Sequence, residues 1–535
     1  MFPARYYSSQ TLNWTYLLNI PPVDPGTVGP CPVAPDSLLG IKRQQTNPAR
    51  WDGAGWQEFV AALSAAGIDL AEGRVACGVY ATDAGGTAYG MPHGVVIARS
   101  AAQVSALLKA AQAHRVPVTV RGGGLTTEGE SVAFGGVLLD MSGMSRVLKI
   151  DAAALTVRTE AGIFWHGLAE ELRRENLDYL SAPLNLTSSV GGTLGVGGID
   201  VNSARLGCSA DQALSLQVVT PTGEIVECSD AENPELFQRV ILGYGQFGII
   251  TEATLRVRPY TPLRMHYFYY SSLRKAIEDL QMLDRNDASD YSGILTIKDC
   301  AVNLLVAFDS DEREAAFKAG WKPRLRGHGE FGFALHMAGH YALRPWRLGE
   351  AYYLLRRKQE VFPEFRRAEY MRQGKMHDRT VVYSRAVWKH WGSRNMVIPD
   401  LATDTDRFIE AVERGNAVCR KFFPCYTLYC VGIKLRADHK AHYEMSCVPP
   451  AAEGWAYGCE FEPMIDGRVY SRDHFQSFKN AIYDIGLDLG ASYYRFGGMM
   501  KGYIRRAFGD ALVDKHLALK RRADPAMILN RDVIF

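Results

Sequence analysis

Glycine concentrates at three places that could hold an anionic ligand: Arg121-Gly122-Gly123-Gly124, the stretch Val190 to Gly198, and Gly243 to Gly248. The first follows the apolar run Val116–Val120, which reads as a buried strand. Glycines at the end of a buried strand let the backbone approach a ligand closely, and successive N–H groups can converge on a phosphate. A plain tight turn is the better reading of one such run alone. Three in succession shift the balance, because several glycine segments can line one extended ligand. The literal pattern GxGxxG occurs at Gly243, Gly245 and Gly248, but the dinucleotide fingerprint needs a strand before it and a helix after it. Here a strand, Ile249–Val257, comes after, so that reading fails on context.

The elements that must position these clusters alternate. Val95-Val96-Ile97 reads as a buried strand. Ser100 and Gln103 form a capping box for a helix with Val104, Leu107, Leu108 and Ala111 on one face. Further strands are expected at Val137–Leu139 and Leu155–Thr159, and a helix over Ile163–Leu172 that carries Trp165 and His166. Leu214–Thr220 and Glu224–Glu227 flank Pro221-Thr222-Gly223, a hairpin signal. Near Pro259–Pro262 the texture changes to aromatic-rich, antiparallel-looking strands such as Tyr426–Ile433 and Trp455–Phe461. An Arg- and Tyr-rich helical stretch lies at about 347–372. The fold class expected is α+β, with mixed sheets first and a large antiparallel sheet covered by helices second. The divisions expected are an extension at 1–50, domains at 51–262 and 263–490, and a closing segment at 491–535.

Bulk properties narrow the function classes. The formal net charge is +2, from 60 basic and 58 acidic residues, so no basic excess exists to bind a nucleic-acid backbone. Ten scattered cysteines without a CxxC pair read as reduced, partly buried thiols. The N-terminus lacks the basic-then-apolar pattern of a signal peptide, and no apolar run reaches membrane-spanning length. A cytoplasmic protein outside the membrane is the expectation, and the oligomeric state is left open.

The segments Val116 to Gly124, Val190 to Ile199 and Gly245 to Thr251, with the Asp524-Pro525-x-x-Ile528-Leu529 ending, resemble the FAD-binding PCMH-type domain of the vanillyl-alcohol oxidase superfamily. The likeness is greatest to cytokinin dehydrogenases and berberine-bridge-like oxidases. It is strong over residues 85–262, moderate over 490–535 and only architectural between. It implies a flavoprotein oxidoreductase in which 51–262 is the FAD-binding domain and 263–490 covers the flavin ring as a substrate-binding domain. Arg121, Gly122, Gly123, Gly124, Leu125, Thr126 and Glu130 would then surround the FAD diphosphate. Ser189, Val190, Gly191, Gly192, Gly195, Gly198 and Ile199 would line the flavin and its ribityl chain, Ile249 and Ile250 would make main-chain contacts, and Asn530 would lie beside the ring.

Two departures from the family pattern shape the expected chemistry. The histidine that bonds covalently to flavin in many relatives is replaced by Leu125, so FAD would be held non-covalently. Attachment through Cys208 is the lesser alternative. The cytokinin-dehydrogenase aspartate is replaced by Leu184, or by Asn185 with a one-residue slip, and the aspartate of para-phenol oxidases by Ser188. The remaining catalytic candidates are Tyr494 and Arg495, which match a tyrosine–arginine pair that stabilises a substrate phenolate. A core tyrosine beside a surface arginine is an equally good reading of that pair. His166, His390, Tyr457, Glu460 and Glu462 are weaker candidates, more simply structural.

The implied reaction is oxidation of a small hydroxylated aromatic, such as a para-phenol reacting through a quinone methide. Dioxygen or another electron acceptor would take the electrons, and a place in secondary metabolism would fit. The alternatives are a cytokinin-dehydrogenase-like amine or alcohol oxidoreductase, and a membrane-peripheral flavin dehydrogenase or reductase using a quinone or pyridine nucleotide. A non-redox flavin scaffold is the remaining rival.

Overall fold

The computed structural model describes residues 51–535 apart from 84–87, 89, 184–185, 200–202, 262–263, 298–300, 329–399, 424–426, 437–454, 465–471, 495–501, 532 and 534–535. The extension at 1–50, the Arg- and Tyr-rich stretch at 347–372 and His390 lie outside the described residues.

The first sheet contains β1 (Ala71–Glu72), β2 (Gly94–Ile97), β3 (Val118–Arg121) and β4 (Val137–Asp140) in the order β1-β2-β4-β3. β2 and β3 both run parallel to β4. Parallel neighbours need a crossover, and the helix Ala101–His114 supplies the one from β2 to β3. Ser100 caps it by accepting from the Gln103 N–H at 3.2 Å. The Gln103 side chain turns back to the Arg99 N–H at 2.7 Å, one residue earlier than in a standard capping box. Val104, Leu107, Leu108 and Ala111 are fully buried against Val96, Val118, Val137 and Leu139. The strand begins at Val118, two residues later than the apolar run suggests. The Val116 N–H is consumed by the Ala111 carbonyl at the helix end, and Pro117 has no N–H to give.

The second sheet holds β5 (Val147–Asp151), β6 (Thr156–Glu160), β7 (Leu177–Tyr179), β8 (Ala213–Val219), β9 (Ile225–Ser229) and β10 (Ile249–Pro259), all antiparallel, in the order β5-β6-β10-β8-β9, with β7 on the far end of β10. The expected hairpin across Pro221-Thr222-Gly223 joins β8 to β9. The helix Trp165–Arg174 buries Trp165, Leu168, Ala169 and Leu172 against this sheet. It starts two residues later than expected because Phe164 is extended and bridges Ser189. His166 lies on it, with Nδ1 at 3.2 Å from the Leu186 carbonyl. β10 joins the first two cores: the side chain of Ile249 enters the first and that of Ile250 the second.

The third sheet is wholly antiparallel: β11 (Arg264–Tyr270), β12 (Tyr291–Ile297), β13 (Ala301–Phe308), β14 (Asp400–Thr403), β15 (Thr427–Arg436), β16 (Trp455–Glu460) and β17 (Glu462–Met464). Its order is β11-β13-β12-β15-β16-β14, with β17 also on β15. The helices Leu273–Arg285, Thr405–Phe422 and Arg472–Leu489 bury Leu280, Phe408, Phe475 and Ile482 in one core with Leu304, Tyr457 and Cys459 from the sheet. Tyr457 and Cys459 on β16 and Phe461 just after it are all buried. The molecule is thus α+β. Among the described residues no helix is long and apolar enough to cross a membrane, and the described Cys77, Cys208, Cys228, Cys419 and Cys459 are buried and in no disulfide.

The C-terminus returns to the first sheet, where Leu529 bridges Val118 in parallel. One fully buried lysine secures the return. Lys520 donates to the Gln246 and Leu529 carbonyls and pairs with Asp524, each at 2.8 Å. Asp524 also accepts from the Ile528 and Leu529 N–H groups and from Gln112. Burial pulls the Lys520 ammonium below the usual lysine value, against the raising effect of Asp524. Removing one member of a buried pair strands the other charge, so Lys520→Ala should cost about 3–5 kcal/mol in denaturant unfolding. A loss of a few tenths of a kcal/mol would show that the return is held by other contacts.

Candidate functional site

The loop after β3 is shaped by its own side chains. Arg121 stands in register with Asp140 on β4, and its guanidinium donates to the Thr82 and Ser131 carbonyls at 3.0 and 3.2 Å. It also lies over the Tyr80 ring, whose hydroxyl donates to Asp140 at 2.9 Å. Burial raises the Asp140 pKa, against the lowering effect of hydrogen bonds from Ser142 and Tyr80 and of the nearby Arg121 charge. Arg121 therefore ties the loop back on itself with its side chain. Gly124 bends around that guanidinium at φ +65°, where a Cβ would collide with it. Asp83 clamps the far end, accepting from the Thr126 hydroxyl at 2.8 Å and the Gly129 N–H at 2.7 Å.

Alternate amides of β3 point to the free edge of the first sheet. The Val118 N–H donates to the Ile528 carbonyl and the Val120 N–H to Asn530 Oδ1, both at 2.9 Å. Gly122 is next in this series. Among the described residues, the N–H groups of Gly122, Gly124, Leu125 and Thr126 have no protein acceptor. This is a short run of open donors held in a rigid turn, the arrangement that receives a phosphate.

The second glycine cluster is a helix, Val190–Val196, rather than a loop. Its first amides are spent inside the protein: Val190 on the Ile163 carbonyl, Gly191 on the Ala161 carbonyl, and Gly192 on the capping Ser189 hydroxyl. It adds no second amide cradle. Its place is set by close approach, since a Cβ on Gly122 would overlap Ser189 Oγ. Beside Gly195 there is open space, and Ile199 is half-buried.

The turn after this helix meets Tyr494. The Gly198 N–H donates to the Tyr494 hydroxyl at 2.9 Å, and the Tyr494 carbonyl accepts from the Tyr244 hydroxyl at 2.6 Å. The Tyr244 N–H in turn donates to the Gly195 carbonyl at 3.0 Å. Tyr493 faces the other way, buried, with its hydroxyl on the Tyr483 carbonyl at 3.0 Å. Cys208 is buried beside the same turn, since the following Ser209 and Ala210 donate to the Gly198 and Gly197 carbonyls. Arg495, Leu184 and Asn185 lie outside the described residues.

Asn530 joins the remaining pieces. Beyond its bond to Val120, its own N–H donates to the Val118 carbonyl, and its Nδ2 reaches the Tyr244 carbonyl at 3.2 Å. Glu130 borders a cleft on the same edge, together with Val118, Thr119, Phe134, Asn530 and Arg531. The structure thus gathers loop 121–126, Ser189, Gly195, Gly198, Tyr494 and Asn530. Ile249 and Ile250 enter as strand residues paired with Val219 and Val218. Sequence reasoning missed Asp83, Tyr244 and Gln246, and also the buried ion pair between Glu128 and Lys479. Only Glu128, a carboxylate among small polar residues of the loop, carried a local signal.

The FAD binding domain family matches residues 92–229. The "Uncharacterized oxidoreductase ORF5 in fasciation locus" of Rhodococcoides fascians is 36% identical over 198 residues, 36% of this chain and 43% of that protein. Cytokinin dehydrogenase 3 of Arabidopsis thaliana is 28% identical over 253 residues, 46% of this chain and 47% of that protein. D-lactate dehydrogenase of Anaerostipes hadrus is 30% identical over 174 residues, 31% of this chain and 37% of that protein. The matched segments span less than half the length of each of these relatives. A solved alkyldihydroxyacetonephosphate synthase shares the fold across nearly the whole chain, with a TM-score of 0.63 at 15% identity over 92% of this chain and 87% of that one.

The loop fits the diphosphate of such a cofactor: its donors are open, and Gly122 allows contact with Ser189. Adding one methyl group there forces the two apart, an overpacking cost of about 1–3 kcal/mol. Gly122→Ala should therefore weaken FAD binding roughly 5- to 150-fold by fluorescence titration. Undiminished affinity would remove this contact from the cofactor site.

Proposed function

We propose that this chain, whose residues 92–229 are an FAD-binding domain, is an FAD-dependent oxidoreductase acting on a small hydroxylated aromatic substrate. Residues 51–262 with 491–535 form the cofactor half in this reading, and 263–490 the substrate chamber. Bound FAD would accept a hydride from a substrate C–H and pass the electrons to dioxygen or another acceptor.

The observation that carries the reading is the environment of Tyr494. Its hydroxyl oxygen accepts from the Gly198 N–H, which fixes the ring beside the turn that follows the helix Val190–Val196. An oxygen that accepts from an amide donates more strongly, because linked hydrogen bonds polarise one another. The Tyr244 hydroxyl holds the Tyr494 carbonyl, and the open space beside Gly195 lies on the same helix as the turn. Tyr494 would hold a substrate oxygen through this hydroxyl. Arg495, next in the chain, would add the charge that stabilises a phenolate.

Leu125 stands where a histidine would be needed for covalent attachment, so FAD would be bound without a covalent bond. A cytokinin-dehydrogenase-like reaction is the second reading, favoured by the similarity to that enzyme over the matched segment. Leu184 and Asn185, at the aspartate position, argue against it.

Two measurements test these assignments. Acid precipitation of the yellow protein should leave the flavin in the supernatant, whereas flavin in the pellet contradicts the non-covalent reading. Tyr494→Phe should lower kcat on para-substituted phenols by about 100-fold while retaining bound FAD. Unchanged turnover would dismiss Tyr494 from the chemistry.

A further inference from the structure

The loop that offers amides to a diphosphate is itself acidic. Asp83, Glu128 and Glu130 stand around it, and Arg121 is the only cation of the segment 121–131. Asp83 clamps the loop at Thr126 and Gly129, and the Glu128 N–H is held by the Glu130 carboxylate at 3.0 Å. A dianion brought into this loop would meet like charge, which at protein-like dielectric outweighs several neutral hydrogen bonds.

The answer to this conflict comes from the other half of the molecule. Lys479, on the helix Arg472–Leu489, forms an ion pair with Glu128, and both side chains are fully buried. The lysine ammonium also lies over the Tyr483 ring at 4.9 Å. Tyr483 packs edge-on against Tyr493 at 5.2 Å, the residue before Tyr494. A helix of the substrate half therefore delivers one positive charge to the loop of the cofactor half.

We propose that Lys479 is a positioning residue for the cofactor: its charge neutralises Glu128 so that the amides of Gly122, Gly124, Leu125 and Thr126 can donate to the FAD diphosphate. This rests on the reading of that loop as the diphosphate site. A simple mechanical latch between the two halves would need both partners equally. A counter-charge needs only the lysine, so the two single substitutions are expected to act in opposite directions.

The test is fluorescence titration of FAD into flavin-free full-length variants, with circular dichroism and thermal unfolding as controls for folding. Lys479→Met should weaken FAD binding about 100-fold, the effect of one uncompensated carboxylate charge in the loop that would meet the diphosphate. Lys479→Arg should restore most of the affinity. Glu128→Gln should bind FAD as tightly as the unaltered protein or more tightly, because it leaves an added positive charge at the loop. Weaker binding by Glu128→Gln in a folded protein overturns the proposal, as does full affinity in Lys479→Met. Should either single variant not fold, the double variant Lys479→Met with Glu128→Gln, which strands no charge, decides: near-unaltered affinity supports the proposal and a loss of about 100-fold overturns it. Failure of the unaltered chain to bind FAD would instead defeat the assignment of the loop, a result distinguishable from either.

Discussion

The amide of Asn530 holds the site together. A side-chain carboxamide both accepts and donates, and here it does so across three segments far apart in the chain. It accepts from Val120 on β3, donates to the Tyr244 carbonyl, and sits on a backbone paired with Val118. The open edge of β3 is thereby occupied up to Val120, and among the described residues the N–H groups of Gly122, Gly124, Leu125 and Thr126 are left open. An unpaired strand edge is ordinarily a liability. In this fold the C-terminus covers that edge as far as Val120.

Charge is the second constraint. The loop carries more carboxylates than cations, and its cations are bound inward: Arg121 to carbonyls and the Tyr80 face, Lys479 to Glu128. Its donors toward a ligand are consequently backbone amides, whose partial charges suit a delocalised anion. Amides held by a rigid turn need no reorganisation when the ligand arrives. That rigidity comes from Asp83 and Arg121, which fix both ends of the turn.

Two long-range contacts lie near the loop and the turn at Gly198, and the second of them joins the third-sheet region to the first. Tyr494 reaches Gly198 through its hydroxyl, and Lys479 reaches Glu128. The contacts Lys479–Tyr483 and Tyr483–Tyr493 connect these places within the core of the third sheet. The loop at 121–131 and Tyr494 are thus supported by one packed block, and a rearrangement at either would be felt at the other.

Much of this was legible in the chain itself. The period-3.6 face of Val104, Leu107, Leu108 and Ala111, the Ser100 cap, the Pro221–Gly223 hairpin and the glycines after β3 are local signals, set by propensity and sterics over a few residues. They were sufficient for the α+β class, and the glycine motifs carried the resemblance to FAD-binding domains. The second glycine cluster misled: its helix depends on Ser189 and on acceptors from Ala161 and Ile163, which no local pattern announces. Likewise the Glu128–Lys479 pair, the Tyr494–Gly198 bond and the reach of Asn530 join residues hundreds of positions apart, and a buried charge or amide is stable only beside a partner that folding brings to it. Local order was therefore written in the sequence, while which polar groups were consumed, and which remained open to a ligand, was settled only by tertiary structure.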